Sequence, residues 1–279
     1  MPSSPTCSVD LPFPCIMGVL NVTPDSFSDG GRFLAADDAL AQGLALVREG
    51  AAIVDIGGES TRPGSDPVSA DEELRRVMPV VEALAGRVGV PISVDTMKAD
   101  VARRALAAGA SFVNDVSALR FDPGMLGVIA ENGCPVCLMH MRGEPKTMQD
   151  EPVYADVVDE VLCFLEERMA VALAAGLRED QLMIDPGIGF GKTVEHNLAL
   201  LRHLDRFTGF GRPVVLGTSR KRFLGAILGA EPAARTTGTV ATTVMGLLAG
   251  AHVFRVHDVK PNFEALRVAL AVLEGAPAA

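Results

Sequence analysis

Two carboxylates and an amide stand at the ends of short apolar runs in this sequence. Asp95 ends Ile92-Ser-Val-Asp95, Asn114 ends Ser111-Phe-Val-Asn114, and Asp185 ends Leu182-Met-Ile-Asp185. Either aspartate alone is explained as the cap of the helix that follows. Gathered at one mouth, the three make a wall of hydrogen-bond acceptors. That wall suits a planar heterocycle with several N–H donors along one edge, such as an aminopyrimidinone, in the geometry of arginine meeting carboxylate with the roles exchanged. No Glu-x-x-His or His-x-His spacing accompanies the acids, which argues against a metal cluster built from them.

Basic groups recur at the same kind of position. Gly57-Gly-Glu-Ser-Thr61-Arg62-Pro63-Gly64 combines glycines, which allow close backbone approach, with a hydroxyl and a forked cation, as a phosphate or carboxylate requires. Gly217-Thr-Ser219-Arg-Lys221-Arg222 and Arg255-Val-His257 follow two further apolar runs, and the second pair shares a strand face by the period of two. Both read as parts of an anion site, with a Schiff-base role for Lys221 as the alternative. Gly187-Ile-Gly-Phe190-Gly-Lys192-Thr lacks the four-residue spacer of a phosphate loop. Its glycines bring backbone close to a ligand, and Phe190 offers a ring face. The stretch Asn21 to Gly31 is polar, rich in turn residues and long enough for a lid. Cys134-Pro-Val-Cys137 overlaps a run that reads as a strand, where residues three apart face opposite ways, so both are expected in the core.

The elements that must position these residues follow a single rhythm. Apolar runs at Ile16–Leu20, Ala52–Ile56, Ile92–Asp95, Ser111–Asn114, Val136–His140, Leu182–Asp185, Pro213–Gly217 and His252–Val256 are each followed by a stretch with helical periodicity. Nearly continuous hydrophobes are the mark of parallel strands covered on both faces. Eight such units in 279 residues predict an α/β protein, a (β/α)8 TIM barrel of usual size, about 250 residues. A doubly wound open sheet is the alternative. The barrel is favoured because polar side chains follow almost every strand at its C-terminal end, where a barrel brings them to one mouth. A single domain over 15–275 is expected, preceded by a flexible arm at 1–14.

The composition narrows the function. With 25 Lys+Arg against 35 Asp+Glu and a formal charge of -10, the field repels nucleic acid and anionic membranes. Any anion must therefore be held by a local basic pocket. Five irregularly spaced cysteines, the lack of a charged region before Leu11–Met17, and no apolar run near roughly 18 residues predict a cytoplasmic, reduced protein.

The segments Gly18-Val-Leu-Asn-Val-Thr-Pro-Asp-Ser-Phe-Ser-Asp-Gly-Gly31, Asp55 to Gly64, Ser93-Val-Asp-Thr96, Asn114-Asp115, Leu138-Met-His-Met141, Asp185 to Thr193, Ser219 to Arg222 and Arg255-Val-His-Asp258 occur in order and at appropriate spacing. Together they closely resemble the dihydropteroate synthase family of pterin-binding enzymes, from Ile16 to about Leu273. The resemblance implies an SN1-like condensation of dihydropterin-6-ylmethyl diphosphate with p-aminobenzoate, assisted by Mg2+, in a cytoplasmic homodimer inhibited by sulfonamides. It implies that Asp95, Asn114, Asp185 and Lys221 hold the pterin, that Thr61, Arg255 and His257 hold the diphosphate, and that Asn21 serves the metal. Phe27, Arg62, Pro63, Phe190, Ser219 and Arg222 would form the p-aminobenzoate site, with Asp29, Arg62 and Lys221 closest to the chemistry. Arg62, Lys221, Arg222, Arg255 and His257 would then supply the positive pocket. One position departs from a common pattern, since many members carry Ser where this chain has Arg222. A pterin-binding methyltransferase acting on a corrinoid protein would share the acceptor wall but has no use for a diphosphate site. A catalytically silent barrel would be expected to lose loop residues such as Asp29 or Arg62.

Overall fold

The computed structural model describes residues 7–23, 32–62 and 64–275, so the expectations placed on Phe27, Asp29 and Pro63 lie outside the described residues. The chain alternates strand and helix: β1 (Cys15–Asn21), α1 (Arg32–Arg48), β2 (Ala51–Gly57), α2 (Ala70–Leu84), β3 (Ile92–Asp95), α3 (Ala99–Ala107), β4 (Phe112–Asp115), α4 (Met125–Asn132), β5 (Val136–Met139), α5 (Val157–Ala174) and β6 (Leu182–Asp185). There follow α6 (Val194–Arg202), α7 (Asp205–Thr208), β7 (Val215–Leu216), α8 (Arg222–Leu228), α9 (Thr236–Leu248), β8 (Val253–Val256) and α10 (Val259–Glu274). The strands pair in parallel in the order β6-β5-β4-β3-β2-β1-β8-β7. An Ile184–Val214 bridge, with the Ile184 N–H donating to the Pro213 carbonyl at 3.0 Å, joins the two ends. The sheet is therefore a closed barrel and not an open doubly wound sheet. Pro213 has no N–H to give a ladder, which is one reason β7 is shorter than the apolar run that contains it.

Alternation along the strands sorts the side chains. Outward residues such as Ile16, Leu20, Val54, Ile56, Val94, Val113, Leu138 and Ile184 enter the large shell between strands and helices. The inward residues Met17, Ile53, Phe112, Cys137, Met183, Val215 and Val253 form a separate apolar layer in the lumen. One pleat higher, the inward positions turn polar: Asp55 and Ser93, then Asp95 with Asn114, then Asp185 and Arg255. A layered barrel of this kind is packed below and chemically equipped above. The cysteine pair obeys the same rule, since Cys134 lies in the outer shell and Cys137 in the lumen.

The described part of the expected flexible arm lies against the barrel. Cys7, Leu11 and Phe13 pack on the lumen layer, the Ser8 N–H donates to the Asp180 carbonyl at 2.7 Å, and the Phe13 ring meets His252 edge-on at 5.7 Å. The lumen layer is apolar down to its lower rim. Leu11 and Phe13 gain by covering it, which the Pro and Ser content of the arm did not reveal.

Candidate active site

Arginine 255 sits at the centre of the mouth, forked between two carboxylates. Its Nε donates to Asp55 Oδ2 and its Nη2 to Asp95 Oδ2, each at 2.6 Å. Asp55 Oδ2 also accepts from Asn114 Nδ2 at 3.3 Å, which leaves the Asn114 amide oxygen as the acceptor of that side chain. Among the described residues Asp55 Oδ1 and Ser93 Oγ have no hydrogen-bond partner. Burial would lower the Arg255 pKa, but Asp55 and Asp95 outweigh it and hold the guanidinium charged above its ordinary range. Asp95 is pushed up to about 7 by burial, with Asp55 adding to the rise and Arg255 opposing it.

A second acid–base pair lies across the mouth. Asp185 is buried, accepts the Gly187 N–H at 2.6 Å, and has its pKa raised by burial against the pull of Lys221. Lys221 precedes α8, donates to the Ile188 carbonyl, and holds its ammonium 4.6 Å from the centre of the Phe190 ring. Burial lowers it to about 8. Such opposed shifts, acids up and lysine down, cluster where ligands complete the charge balance.

The anion-facing side is built on Ser219 and His257. The Ser219 hydroxyl oxygen accepts the His257 backbone N–H at 3.1 Å and lies 2.9 Å from His257 Nδ1. The Ser219 hydroxyl can donate its one hydrogen to Nδ1, the arrangement in which a neutral imidazole carries its proton on Nε2. Burial, Arg255 and Arg220 push His257 down to about 3. His257 is thus neutral near pH 7, a donor rather than one of the expected cations. The Arg255 charge is also matched by two carboxylates, whereas Arg62 and Arg222 are exposed residues of the cavity lining. The Ser219 loop is held by Arg220, whose guanidinium grips Asp258 with bonds of 2.9 and 2.5 Å.

The loop carrying Thr61 and Arg62 has a pinned stem. Arg76 donates to the Gly58 carbonyl at 2.8 Å, and Lys98 ties Glu59 to the fully buried Glu73, the latter at 2.6 Å. Beyond the stem, the Ser60 and Ser65 hydroxyls meet at 2.8 Å.

These elements surround a cavity of about 730 Å³. Its lining includes Asn21, Thr61, Arg62, Asp95, Phe190, Ser219, Lys221, Arg222, Arg255 and His257. Asn114 and Asp185 are buried next to this lining rather than part of it, 4% and 5% exposed. Every described residue expected at the site is therefore at this mouth. Asp55 received no role from the sequence, although a lone charge inside the run Ala-Ile-Val-Asp-Ile, two residues before Gly57, is the signal of an inward polar position. Lys192, which resembles a phosphate-loop lysine in the sequence, points away from the anion side into His140 and the loop carbonyls.

Among the described residues no group of three or more His, Cys, Asp or Glu could hold a metal ion. Asn21 offers a neutral amide at the mouth, which fits Mg2+ bound mainly by substrate phosphates and water, and fits no all-protein metal cage.

Comparison with known proteins agrees with this architecture. Residues 17–257 match the model of the pterin binding enzyme family. The Escherichia coli K12 protein named dihydropteroate synthase is 49% identical over 266 residues, covering 95% of this chain and 94% of its own. The structure of Xanthomonas albilineans dihydropteroate synthase with 4-aminobenzoic acid superposes with a TM-score of 0.91 at 48% identity, over 97% of this chain and 99% of that one. The Yersinia pestis dihydropteroate synthase structure with a sulfonamide drug complex gives 0.89 at 46% identity, over 96% of each chain. The chain belongs to the pterin-binding enzyme family. Within that family its relatives at this identity are dihydropteroate synthases, and it groups with them.

Proposed function

We propose that this protein condenses dihydropterin-6-ylmethyl diphosphate with p-aminobenzoate to give 7,8-dihydropteroate and diphosphate, a transfer reaction of folate biosynthesis. The observation that carries the reading is the Asp55–Arg255–Asp95 fork beside the Asp185–Lys221 pair, opening on one side to His257 and Ser219 and on the other to Phe190.

The pterin edge meets Asp95, Asn114 and Asp185 as acceptors and Lys221 as donor. Buried carboxylates with raised pKa values gain most from a ligand rich in N–H groups, since its hydrogen bonds favour the charged form that burial disfavours. Arg255, anchored by two carboxylates, keeps a fixed orientation and presents its remaining N–H groups without reorganising. Thr61 and the His257 Nε2–H add neutral donors for the diphosphate. Mg2+, held by Asn21 and phosphate oxygens, would supply charge neutralisation on the leaving group. The C–O bond from the pterin methylene to diphosphate breaks with its electron pair leaving on oxygen, and the aromatic amine nitrogen forms the new C–N bond and sheds a proton. An aromatic amine is nucleophilic without deprotonation, so the residues have to stabilise separating charge rather than activate a nucleophile.

The second substrate is assigned to Phe190, Arg62, Ser219 and Arg222, with Phe27 and Pro63 from the family pattern. Arg222 is exposed beside the cavity and offers its guanidinium to the carboxylate, where a sulfonamide would compete. Asp29 is assigned electrostatic support of the pterin-methyl cation. A homodimer is also proposed. The α9–α10 face exposes Leu248, Val268, Val272 and Leu273 around an apolar groove of about 530 Å³, a surface suited to a second copy. A cytoplasmic location is proposed as well; among the described residues no helix is long and apolar enough to cross a membrane.

Calorimetry with a pterin lacking the diphosphate tests the site. Asp185→Ala should abolish measurable binding, and near-normal affinity would show that the acceptor wall lies elsewhere.

A further inference from the structure

Lys192 is a charged-type side chain at the mouth for which the chemistry above has no use. It is 3% exposed, and its Nζ lies 2.8 Å from His140 Nδ1, 2.9 Å from the Gly187 carbonyl and 3.0 Å from the Phe190 carbonyl. These carbonyls belong to a run in which all five, from 187 to 191, accept from side chains. Lys221 takes Ile188, Gln149 Nε2 takes Gly189 at 2.5 Å, and the Tyr154 hydroxyl takes Gly191 at 2.8 Å.

Glycines make that arrangement possible. Gly187, Gly189 and Gly191 have φ of 68°, 86° and 63°. A Cβ at Gly187 would stand 1.8 Å from the His140 carbonyl oxygen, and one at Gly191 would stand 2.6 Å from that of Arg142. A chain with alternating left-handed residues cannot satisfy its carbonyls through a regular ladder, so donors from outside impose its shape. Lys192 is the donor that meets this loop twice, at Gly187 and at Phe190 itself.

We propose that Lys192 is a positioning residue for the aromatic-amine subsite: by tying the Gly187 and Phe190 carbonyls to His140 it fixes the Phe190 ring beside Lys221, and it does not meet the diphosphate. The inference rests on the reading of Phe190 as the ring contact of p-aminobenzoate. Two further facts agree with it. The Lys192 Nζ has three partners within 3.0 Å, the Gly187 and Phe190 carbonyls and His140 Nδ1, and burial pushes its pKa well below the lysine range, which disfavours the charge that would draw it to phosphate. Reaching a phosphate would also strip the Phe190 carbonyl of its Lys192 donor and leave that of Gly187 with the Phe190 N–H alone.

Steady-state kinetics of Lys192→Met, with both substrates varied, is the test. KM for p-aminobenzoate should rise by about tenfold or more, the loss expected when hydrogen bonds that hold a contact are removed. KM for the pterin diphosphate, and the calorimetric affinity for a pterin, should stay within about threefold of wild type. A rise in the pterin diphosphate KM instead would assign Lys192 to phosphate and overturn the proposal, as would a loss of kcat with both KM values unchanged. If Lys192→Met does not fold, Gln149→Leu, which frees only the Gly189 carbonyl, should show the same split with a smaller rise. An unchanged p-aminobenzoate KM in that variant overturns the proposal. A wild-type protein without turnover would remove the functional reading beneath it, whereas an active wild type whose variants lack the split removes this inference alone.

Discussion

Opposed pKa shifts at single residues define how this site responds to pH. Asp95, pushed up to about 7, must be ionised to accept from a pterin, and Lys221, lowered to about 8, must be protonated to donate. Pterin affinity should therefore rise as pH climbs through about 7 and fall as it passes about 8. Calorimetry of the free pterin across that range checks this, and a flat profile from well below to well above it would show that neither group touches the ligand. Ser219→Ala removes the hydroxyl that meets His257 Nδ1. It should raise KM for the pterin diphosphate several-fold, on the order of 1 kcal/mol, and leave the affinity for a pterin without diphosphate unchanged. Which residues gather at the mouth was partly legible in the sequence because polar residues ending apolar runs are conspicuous, while their roles were implied by the family resemblance. What could not be read was which of them neutralise one another. Arg255 and His257 look cationic as letters, but only the structure shows the first shared by two carboxylates and the second discharged by burial.

At the scale of elements, the site depends on loops held by charges outside it. Lys98 joins the β2–α2 loop at Glu59 to α2 at Glu73, in a cluster where the three side chains are 12%, 9% and 0% exposed. Lys98→Met leaves two carboxylates without their partner and should destabilise the fold by about 3–5 kcal/mol. Adding Glu73→Gln should restore part of that loss, because it removes one of the stranded charges. Denaturant unfolding of the single and double variants measures both, and no loss in the single variant would contradict the role assigned to the cluster. Seven strands were legible to within one residue at either end, since buried parallel strands are continuous apolar runs. The eighth, β7, starts two residues later than expected, after Pro213, whose carbonyl accepts from β6 to close the barrel. The Lys98 staple was invisible because its members lie far apart in sequence and meet only when α2 and α3 pack.

For the whole molecule, closure of the barrel is what gathers eight strand ends at one mouth, and the acidic surface makes that mouth the place where an anion is received. The opposite end is sealed by residues 7–14, and one flank, formed by α9 and α10, remains apolar. Val272, 76% exposed, and Leu248, 64% exposed, lie in that face. Val272→Glu combined with Leu248→Glu should convert a dimer to a monomer in light scattering, and a wild-type protein that is already monomeric would contradict the proposed assembly. Barrel and mouth were foreseeable from the strand rhythm together with the polar residues that follow the strands, whereas the flank was not, because exposure of a hydrophobic helix face is a property of what packs beside it.

The central claim is that this mouth joins a pterin to an aromatic amine by expelling diphosphate. It is tested most directly by mixing purified protein, Mg2+, dihydropterin-6-ylmethyl diphosphate and labelled p-aminobenzoate, with and without a sulfonamide. The account predicts labelled dihydropteroate and an equal amount of diphosphate, with the sulfonamide raising the apparent KM for p-aminobenzoate. No labelled product, or product formation that a sulfonamide does not affect, would contradict it.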